Sequence, residues 1–176
     1  MVDAKTVLLD QLLANANDPS WYIPFQEAVK GITEIEAFWK PDKSSHSIAE
    51  IVQHLIYWNQ IWQTRYEKAD ACTVPSVKKN VDSFLVPKNK TFQTLQTELL
   101  DILLRWQDLI TEKQLSEKVK GYPVEAEWWG LIANATTHNA YHIGQIAFLR
   151  KMDKPVIYQT VDKRSHTSSF ASVICS

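Results

Sequence analysis

Two histidines, His138 and His142, lie four residues apart in a segment whose apolar residues follow a helical spacing. Four residues make slightly more than one helical turn, so the two imidazoles project from one face, about 6 Å apart along the axis. A third histidine, His54, lies in the middle of another helix-spaced segment. Neutral imidazole is the commonest protein ligand for transition metals, so the three together predict a divalent metal site.

The positions around these histidines follow the three-and-four step of an inward-facing stripe in a helical bundle. Burying an imidazole or an amide without a partner costs about 1 to 3 kcal/mol, so such a stripe must provide bonds for its polar members. His54 lies at the edge of a similar stripe. We therefore expect His54, His138 and His142 to be metal ligands. The stripe of the later helix contains Trp128, Leu131, Ala135, His138, His142, Gln145 and Leu149, and that of the earlier helix contains Ile48, Ile51, Leu55, Trp58 and Trp62.

Each of these features also has a plainer interpretation. A single core histidine is usually a hydrogen-bonded packing residue, but three of the five histidines fall on two predicted stripes, which favours the metal. Three neutral imidazoles leave a coordination position open, which is typical of a reactive site. Gln145, one turn beyond His142, is expected to orient a ligand there, with ordinary core packing as the alternative. His46 and His166 lie off the stripes and are predicted to be structural or solvated.

The residues between the paired histidines restrict the reaction. The stretch from His138 to His142 lacks the glutamate of the HExxH motif, which disfavours peptide hydrolysis by that route. Tryptophans on both helices could wall an apolar pocket beside a metal, although core packing is the favoured interpretation for each one alone. These tryptophans are Trp58, Trp62, Trp128 and Trp129.

The chain length and the low content of glycine and proline predict an all-α fold. With 176 residues, only 4 Gly and 7 Pro, and long helix-spaced apolar runs, the chain fits a helical bundle over residues 1–153 and an irregular tail over 154–176. The tail is expected to be poorly ordered or to form a strand-like flap. Residues 70–90 should form a long crossover. The predicted helices are Ala4 to Ala16, Phe25 to Pro41 with a break near Gly31, a helix capped by Ser47 and Glu50 that ends near Ala69, Phe92 to Leu109, and a last helix with Glu125 and Glu127 in its first turn that ends near Met152.

Charge and cysteine content narrow the function classes. A net charge of −1, from 19 basic and 20 acidic residues, disfavours nucleic-acid binding, because no basic cluster is available for phosphates. No apolar run is long enough to span a membrane, and the first ten residues do not resemble a secretory signal. Cys72 and Cys175 lie in no metal or redox spacing, which fits a reducing cytosol. We expect a cytoplasmic protein.

Two segments carry a resemblance to a known family. SIAEIVQHLIYWN, from Ser47 to Asn59, and HNAYHIGQI, from His138 to Ile146, resemble the DinB superfamily, in particular its YfiT-like branch. The resemblance extends from about Leu8 to Met152. It implies an antiparallel four-helix bundle with a crossover connection, a divalent metal bound by the three histidines, and a homodimer. Zn, Ni and Fe, and also Cu, are all compatible with imidazole ligands.

The resemblance also implies a reaction. Members with known chemistry include thiol transferases that use bacillithiol or mycothiol and a mycothiol-dependent maleylpyruvate isomerase. The implied activity is a metal-dependent transferase that activates a low-molecular-weight thiol for attack on an electrophile. The alternative is a non-enzymatic, metal-binding stress-response bundle that acts through a protein partner. A metal-dependent hydrolase is a weaker third candidate, because the motifs place no general-base carboxylate.

Overall fold

A computed structural model describes residues 3–152 of the chain. The predictions for the tail, residues 154–176, and those for His166 and Cys175 lie outside the described residues. Within the described range the chain is all-α, with no β-strand and only two isolated bridges. The elements are α1 (Ala4–Ala16), α2 (Phe25–Ala28), α3 (Glu34–Phe38), α4 (Ile48–Glu67), a 3-10 helix (Asn80–Phe84), α5 (Phe92–Leu109), α6 (Glu112–Leu115) and α7 (Trp128–Met152).

The four long helices form a closed ring of contacts: α4 packs against α5 and α7, and α1 packs against the same two helices. The contacts of α4 with α7 run in opposite sequence order, so these two helices are antiparallel; they join His54 to His142, Asn59 to Asn139 and Tyr66 to Trp128. The contacts of α4 with α5 run in the same order and join Gln60 to Glu98, Gln63 to Ile102 and Glu67 to Arg105. Two successive parallel helices require a long return connection, which residues 70–90 provide.

Local signals account for most helix boundaries. The capping box that Ser47 and Glu50 predict is present at the start of α4. The predicted bounds of the first helix and of the helix from Phe92 to Leu109 are also confirmed. The segment predicted from Phe25 to Pro41 is two short helices, because Gly31 adopts a φ of 73° and Thr33 caps a new helix.

The start of α7 differs from the sequence prediction. Glu125 and Glu127 precede the helix, which begins at Trp128 and has no acidic residue in its first turn. The Val119 amide donates to the Ala126 carbonyl, and an antiparallel bridge joins Lys118 to Glu127. This backbone pairing holds the segment extended, so it cannot coil into the helix.

The buried side of α7 is also rotated relative to the predicted stripe. Leu131, Ala135, His138 and Gln145 are only partly buried. His138 and His142 therefore lie at the border between the core and a pocket, rather than in the centre of the core. The buried residues are Trp128, Ile132, Thr136, Asn139, His142, Ile143, Ile146 and Leu149.

Among residues 3–152, none of the helices is both long and apolar enough to cross a membrane.

Candidate metal centre

The structure brings the three predicted ligands together. His54, from α4, is 2% exposed and meets His138 and His142, which project from successive turns of α7. The Nε2 atoms of His54 and His138 are 3.2 Å apart, and one ring nitrogen from each of the three histidines lies within 4.8 Å of the others. Ligand nitrogens bound to one ion at 2.0 to 2.1 Å lie roughly 3 to 4 Å apart, so small side-chain shifts would allow all three to share an ion.

A hydrogen-bond chain from the crossover sets the tautomer of His54. The Nδ1 atom of His54 is 2.7 Å from Ser83 Oγ, whose hydroxyl donates to the Asn80 carbonyl at 2.5 Å. Because that hydroxyl proton is already used, Ser83 accepts a proton from Nδ1 of His54. The lone pair of His54 therefore lies on Nε2, the atom that faces His138.

His142 is oriented in the same way by Gln145. Its Nδ1 atom is 2.7 Å from Gln145 Oε1, and an amide oxygen only accepts, so the lone pair of His142 lies on Nε2. Gln145 was predicted to orient a ligand, but in the described structure it contacts His142 and does not line the adjacent pocket. Partners of this kind fix the rings of metal-binding histidines.

Burial keeps the three imidazoles neutral. It lowers the pKa of His54 to about 3 and that of His138 to about 4, and neighbouring imidazoles add to both shifts. Burial also lowers the pKa of His142. A proton and a metal ion compete for the same lone pair, so rings that are neutral near pH 7 are ready to bind a metal.

Phe84 holds the ring plane of His54. Its ring stacks on His54 at a centroid distance of 3.9 Å and, on its other side, on His46 at 3.8 Å. His46 thus packs against Phe84, and its Nδ1 lies 3.4 Å from Glu50. Ser83 and Phe84 could not be predicted from the sequence, since no periodicity in the crossover marks either residue.

A pocket of about 470 Å³ opens beside the three histidines. Trp58 and Trp62, one and two turns beyond His54 on α4, line it together with Tyr122, although core packing was the favoured interpretation for each tryptophan alone. Trp128 instead lies fully buried in the core, and Trp129 is 49% exposed outside this pocket. Such a volume is within the range of small-molecule sites.

Comparisons with known proteins identify the family. The family model of the DinB superfamily matches residues 24–146. This chain belongs to the DinB superfamily. The fold is similar to the crystal structure of a DinB-like protein, YjoA, from Bacillus subtilis, with a TM-score of 0.57 and 17% sequence identity over 85% of this chain and 94% of that one. No curated protein matches the sequence.

A second polar cluster in this DinB protein lies next to the histidines, between the same two helices. The Asn59 amide donates to Asn139 Oδ1 at 2.8 Å, and Asn139 donates back at 3.2 Å. Trp106 donates to Asn59 Oδ1 at 3.0 Å. Asn139 is 0% exposed. This pair could not be predicted from the sequence, because it joins residues 80 positions apart.

The donor set of the DinB site fits a divalent transition metal. Two of its three imidazoles, those of His54 and His142, have tautomers that leave Nε2 unprotonated, and all three are neutral near pH 7. Three ligands from two helices leave at least one coordination position for a small molecule, and the pocket provides the space beside them.

Proposed function

We propose that the protein binds one divalent metal ion, Zn, Ni or Fe, through His54, His138 and His142, and that it is a transferase for a low-molecular-weight thiol. One observation carries the proposal: three neutral imidazoles from two helices converge beside a pocket large enough for a small molecule. The two histidine segments resemble the DinB superfamily, whose members include thiol transferases, and this supports the thiol, which we propose to be similar to bacillithiol.

The chain's own residues would place the reactants. A bound divalent cation would supply Lewis acidity, which lowers the pKa of a thiol. The thiol proton passes to solvent water, the sulfur electron pair forms a bond to an electrophilic carbon, and the leaving group departs with the electron pair of its broken bond. Ser83 and Gln145 hold the imidazoles in orientation throughout.

The pocket offers no group for the hydrolytic alternative. Among the described residues, no aspartate or glutamate lines it, so no carboxylate is placed to take a proton from water.

The proposal includes a cytoplasmic homodimer, and sedimentation of the purified chain tests the dimer.

Metal retention tests the first half of the proposal. The purified chain is loaded with Zn²⁺ or Ni²⁺, dialysed against metal-free buffer and measured by elemental analysis. We expect about one ion per chain for the parent and almost none for His138→Ala, with His166→Ala as the matched histidine control. A parent that retains no ion, or a His138→Ala variant that retains as much as the parent, would contradict the metal site.

A thiol screen tests the second half. Metal-loaded protein is incubated with bacillithiol, mycothiol or glutathione and monochlorobimane, and the fluorescent conjugate is followed with time. We expect acceleration that needs the metal and is lost in His138→Ala. If the protein retains its ion but accelerates conjugation with none of the thiols, the non-enzymatic bundle that acts through a partner becomes the better description.

A further inference from the structure

The walls of the pocket beside the histidines carry no ionic side chain other than the imidazoles. The pocket is lined by indole, phenol, phenyl, imidazole and amide groups together with Leu131 and Ala135, and among the described residues none of its lining side chains is aspartate, glutamate, lysine or arginine. Trp58 meets His54 edge-on at a centroid distance of 6.4 Å, and Trp62 meets Tyr122 at the same distance and an angle of 61°. Trp58 and Trp62 lie one turn apart on α4, so aromatic groups line the pocket from the three histidines toward the end of this helix.

We infer that the electrophile taken by this pocket is an uncharged aromatic compound, whose ring lies against Trp58, Trp62 and Tyr122. The inference rests on the proposed function, because it names the second substrate of that reaction. It goes beyond it, because neither the histidines nor the family determines what the thiol attacks.

The lack of charged side chains in the pocket walls favours an uncharged electrophile. An anionic or cationic group costs free energy when it leaves water without an opposite charge to meet it, and these walls supply none. A thiolate sulfur would offset one of the two positive charges of a divalent ion. The electrophile, which lies farther along the pocket, would then contact only uncharged groups. Asn80 and Asn134 offer amide hydrogen bonds to neutral polar substituents such as carbonyl or nitro groups.

The aromatic side chain of Trp62 is held rigidly in the pocket wall. Arg65 stacks on the Trp62 ring, with its guanidinium carbon 4.7 Å from the ring centroid. The same guanidinium donates to the Val74 carbonyl and to Ser76, and Arg65 is only 9% exposed. Arg65 therefore holds the indole in place and does not line the pocket. A fixed aromatic face favours a flat ring over a flexible aliphatic chain, because stacking needs little further ordering.

Three unreactive probes separate charge from ring. Methyl 2-naphthyl sulfone is aromatic and neutral, naphthalene-2-sulfonate is aromatic and anionic, and dimethyl sulfone is neutral without a ring. Calorimetric binding to the metal-free full-length chain tests the walls alone. We expect the naphthyl sulfone to bind at least about tenfold more tightly than either other probe. Equal binding of the sulfonate, or of dimethyl sulfone, would overturn the inference.

Two pairs of variants sharpen this test. Trp62→Ala should weaken naphthyl sulfone binding about tenfold, while Trp62→Phe keeps most of it and guards against a folding defect. Asn134→Lys, at an exposed position of the rim, should shift the preference toward the sulfonate, and Asn134→Gln should not. Unchanged binding in both Trp62→Ala and Asn134→Lys would place the probe elsewhere and overturn the inference.

Metal retention of the same variants keeps the two proposals apart. Trp62→Ala should hold its ion as the parent does, since Trp62 is not a ligand. Loss of the probe preference with intact metal binding contradicts only the aromatic electrophile. A parent that holds no ion but prefers the neutral ring contradicts only the proposed metal site.

Discussion

Two buried polar clusters lie side by side between α4 and α7, and they differ in how their hydrogen-bonding groups are paired. In the asparagine cluster, donors and acceptors satisfy one another: Asn59 donates to Leu55 and Asn139, and accepts from Trp106 and Asn139. In the histidine cluster, three groups of the same kind face each other, and the lone pairs of His54 and His142 lie on the inward nitrogens. The first cluster is complete within the chain, whereas the second has bonding capacity left over.

This difference separates a structural role from a binding role. A closed buried network helps to specify how helices pack, because any other register would leave its polar groups without partners. An open cluster cannot contribute in that way, since its inward nitrogens cannot all pair with one another. The asparagines should therefore govern stability, and the histidines should govern metal binding.

The largest expected effect comes from opening the closed cluster. Asn59→Leu leaves Asn139 and Trp106 without their partner, and we expect it to lower the free energy of unfolding by about 3 kcal/mol. His138→Leu, without metal, should change it by less than about 1 kcal/mol, because it removes a group that has few bonds to lose. Urea denaturation near pH 7 in the presence of a chelator measures both. Equal losses would remove the distinction between the clusters.

Adding metal should act on the open cluster alone. At a metal concentration about 100 times the dissociation constant, binding to the folded state should raise the free energy of unfolding by about 2.7 kcal/mol. Urea denaturation with and without the ion should show this gain in the parent and in Asn59→Leu, although the latter starts from lower stability. His142→Ala should show none, and a gain that persists in this variant would locate the ion elsewhere.

Acid should also affect the two clusters differently. The folded-state pKa is about 3 for His54 and about 4 for His138, both below the ordinary value of 6.5. As the pH falls, the unfolded chain therefore takes up protons first. The stability that the two neutral imidazoles contribute is fully present above about pH 6.5 and is lost as the pH falls toward the folded pKa values. For metal-free protein, unfolding at a series of pH values should show a loss of about 2 kcal/mol for the two imidazoles together by about pH 5.5.

Variants assign that pH dependence to its source. The double variant His54→Gln, His138→Gln should have a flatter profile than the parent. Asn59→Leu should keep the parent's slope, because its cluster contains no titratable group. If the double variant and the parent lose stability in parallel, the histidines are not the cause.

The sequence predicted the histidine site because its signals are local. A four-residue spacing on one helix and an inward position on another can be deduced from periodicity without knowledge of the fold. The helix α5 was equally clear, since its buried residues all lie on one side; they are Phe92, Leu95, Leu99, Ile102, Leu103 and Trp106.

The phase of α7 could not be predicted in the same way, because this helix has apolar residues on every side. Trp129, Tyr141 and Phe148 are exposed, while Ile132 and Ile143 are buried. Hydrophobicity alone does not distinguish these sides, so the predicted stripe was displaced toward the pocket. The packing of α1 and α4 against α7 decides the phase.

The supporting contacts of the site were beyond local reasoning for another reason. Ser83 meets His54 across 29 positions, and Asn59 meets Asn139 across 80. Neither Ser83 nor either asparagine is marked by a pattern in its own segment. Only the closure of the crossover over α4 gives Ser83 its partner, so the pairing depends on the assembled fold.

The smallest effect should come from the contact that links the open cluster to the crossover. Ser83→Ala removes the acceptor of His54 Nδ1, and with it the bond that holds the tautomer and the ring orientation. Loss of such a partner typically weakens metal binding by 10- to 100-fold, and we expect about tenfold, or 1.4 kcal/mol, because Phe84 still holds the ring plane. Competition with a coloured chelator measures the affinity.

Two further variants serve as controls for Ser83→Ala. Ser83→Thr retains the hydroxyl and should recover most of the affinity, whereas Ser116→Ala, at an exposed position on the end of α6, should have no effect. Ser83→Ala should leave metal-free stability within about 1 kcal/mol of the parent, since the asparagine cluster is intact. An unchanged metal affinity in Ser83→Ala would show that helix packing and Phe84 alone orient His54, and that the crossover does not tune the open cluster through this hydrogen bond.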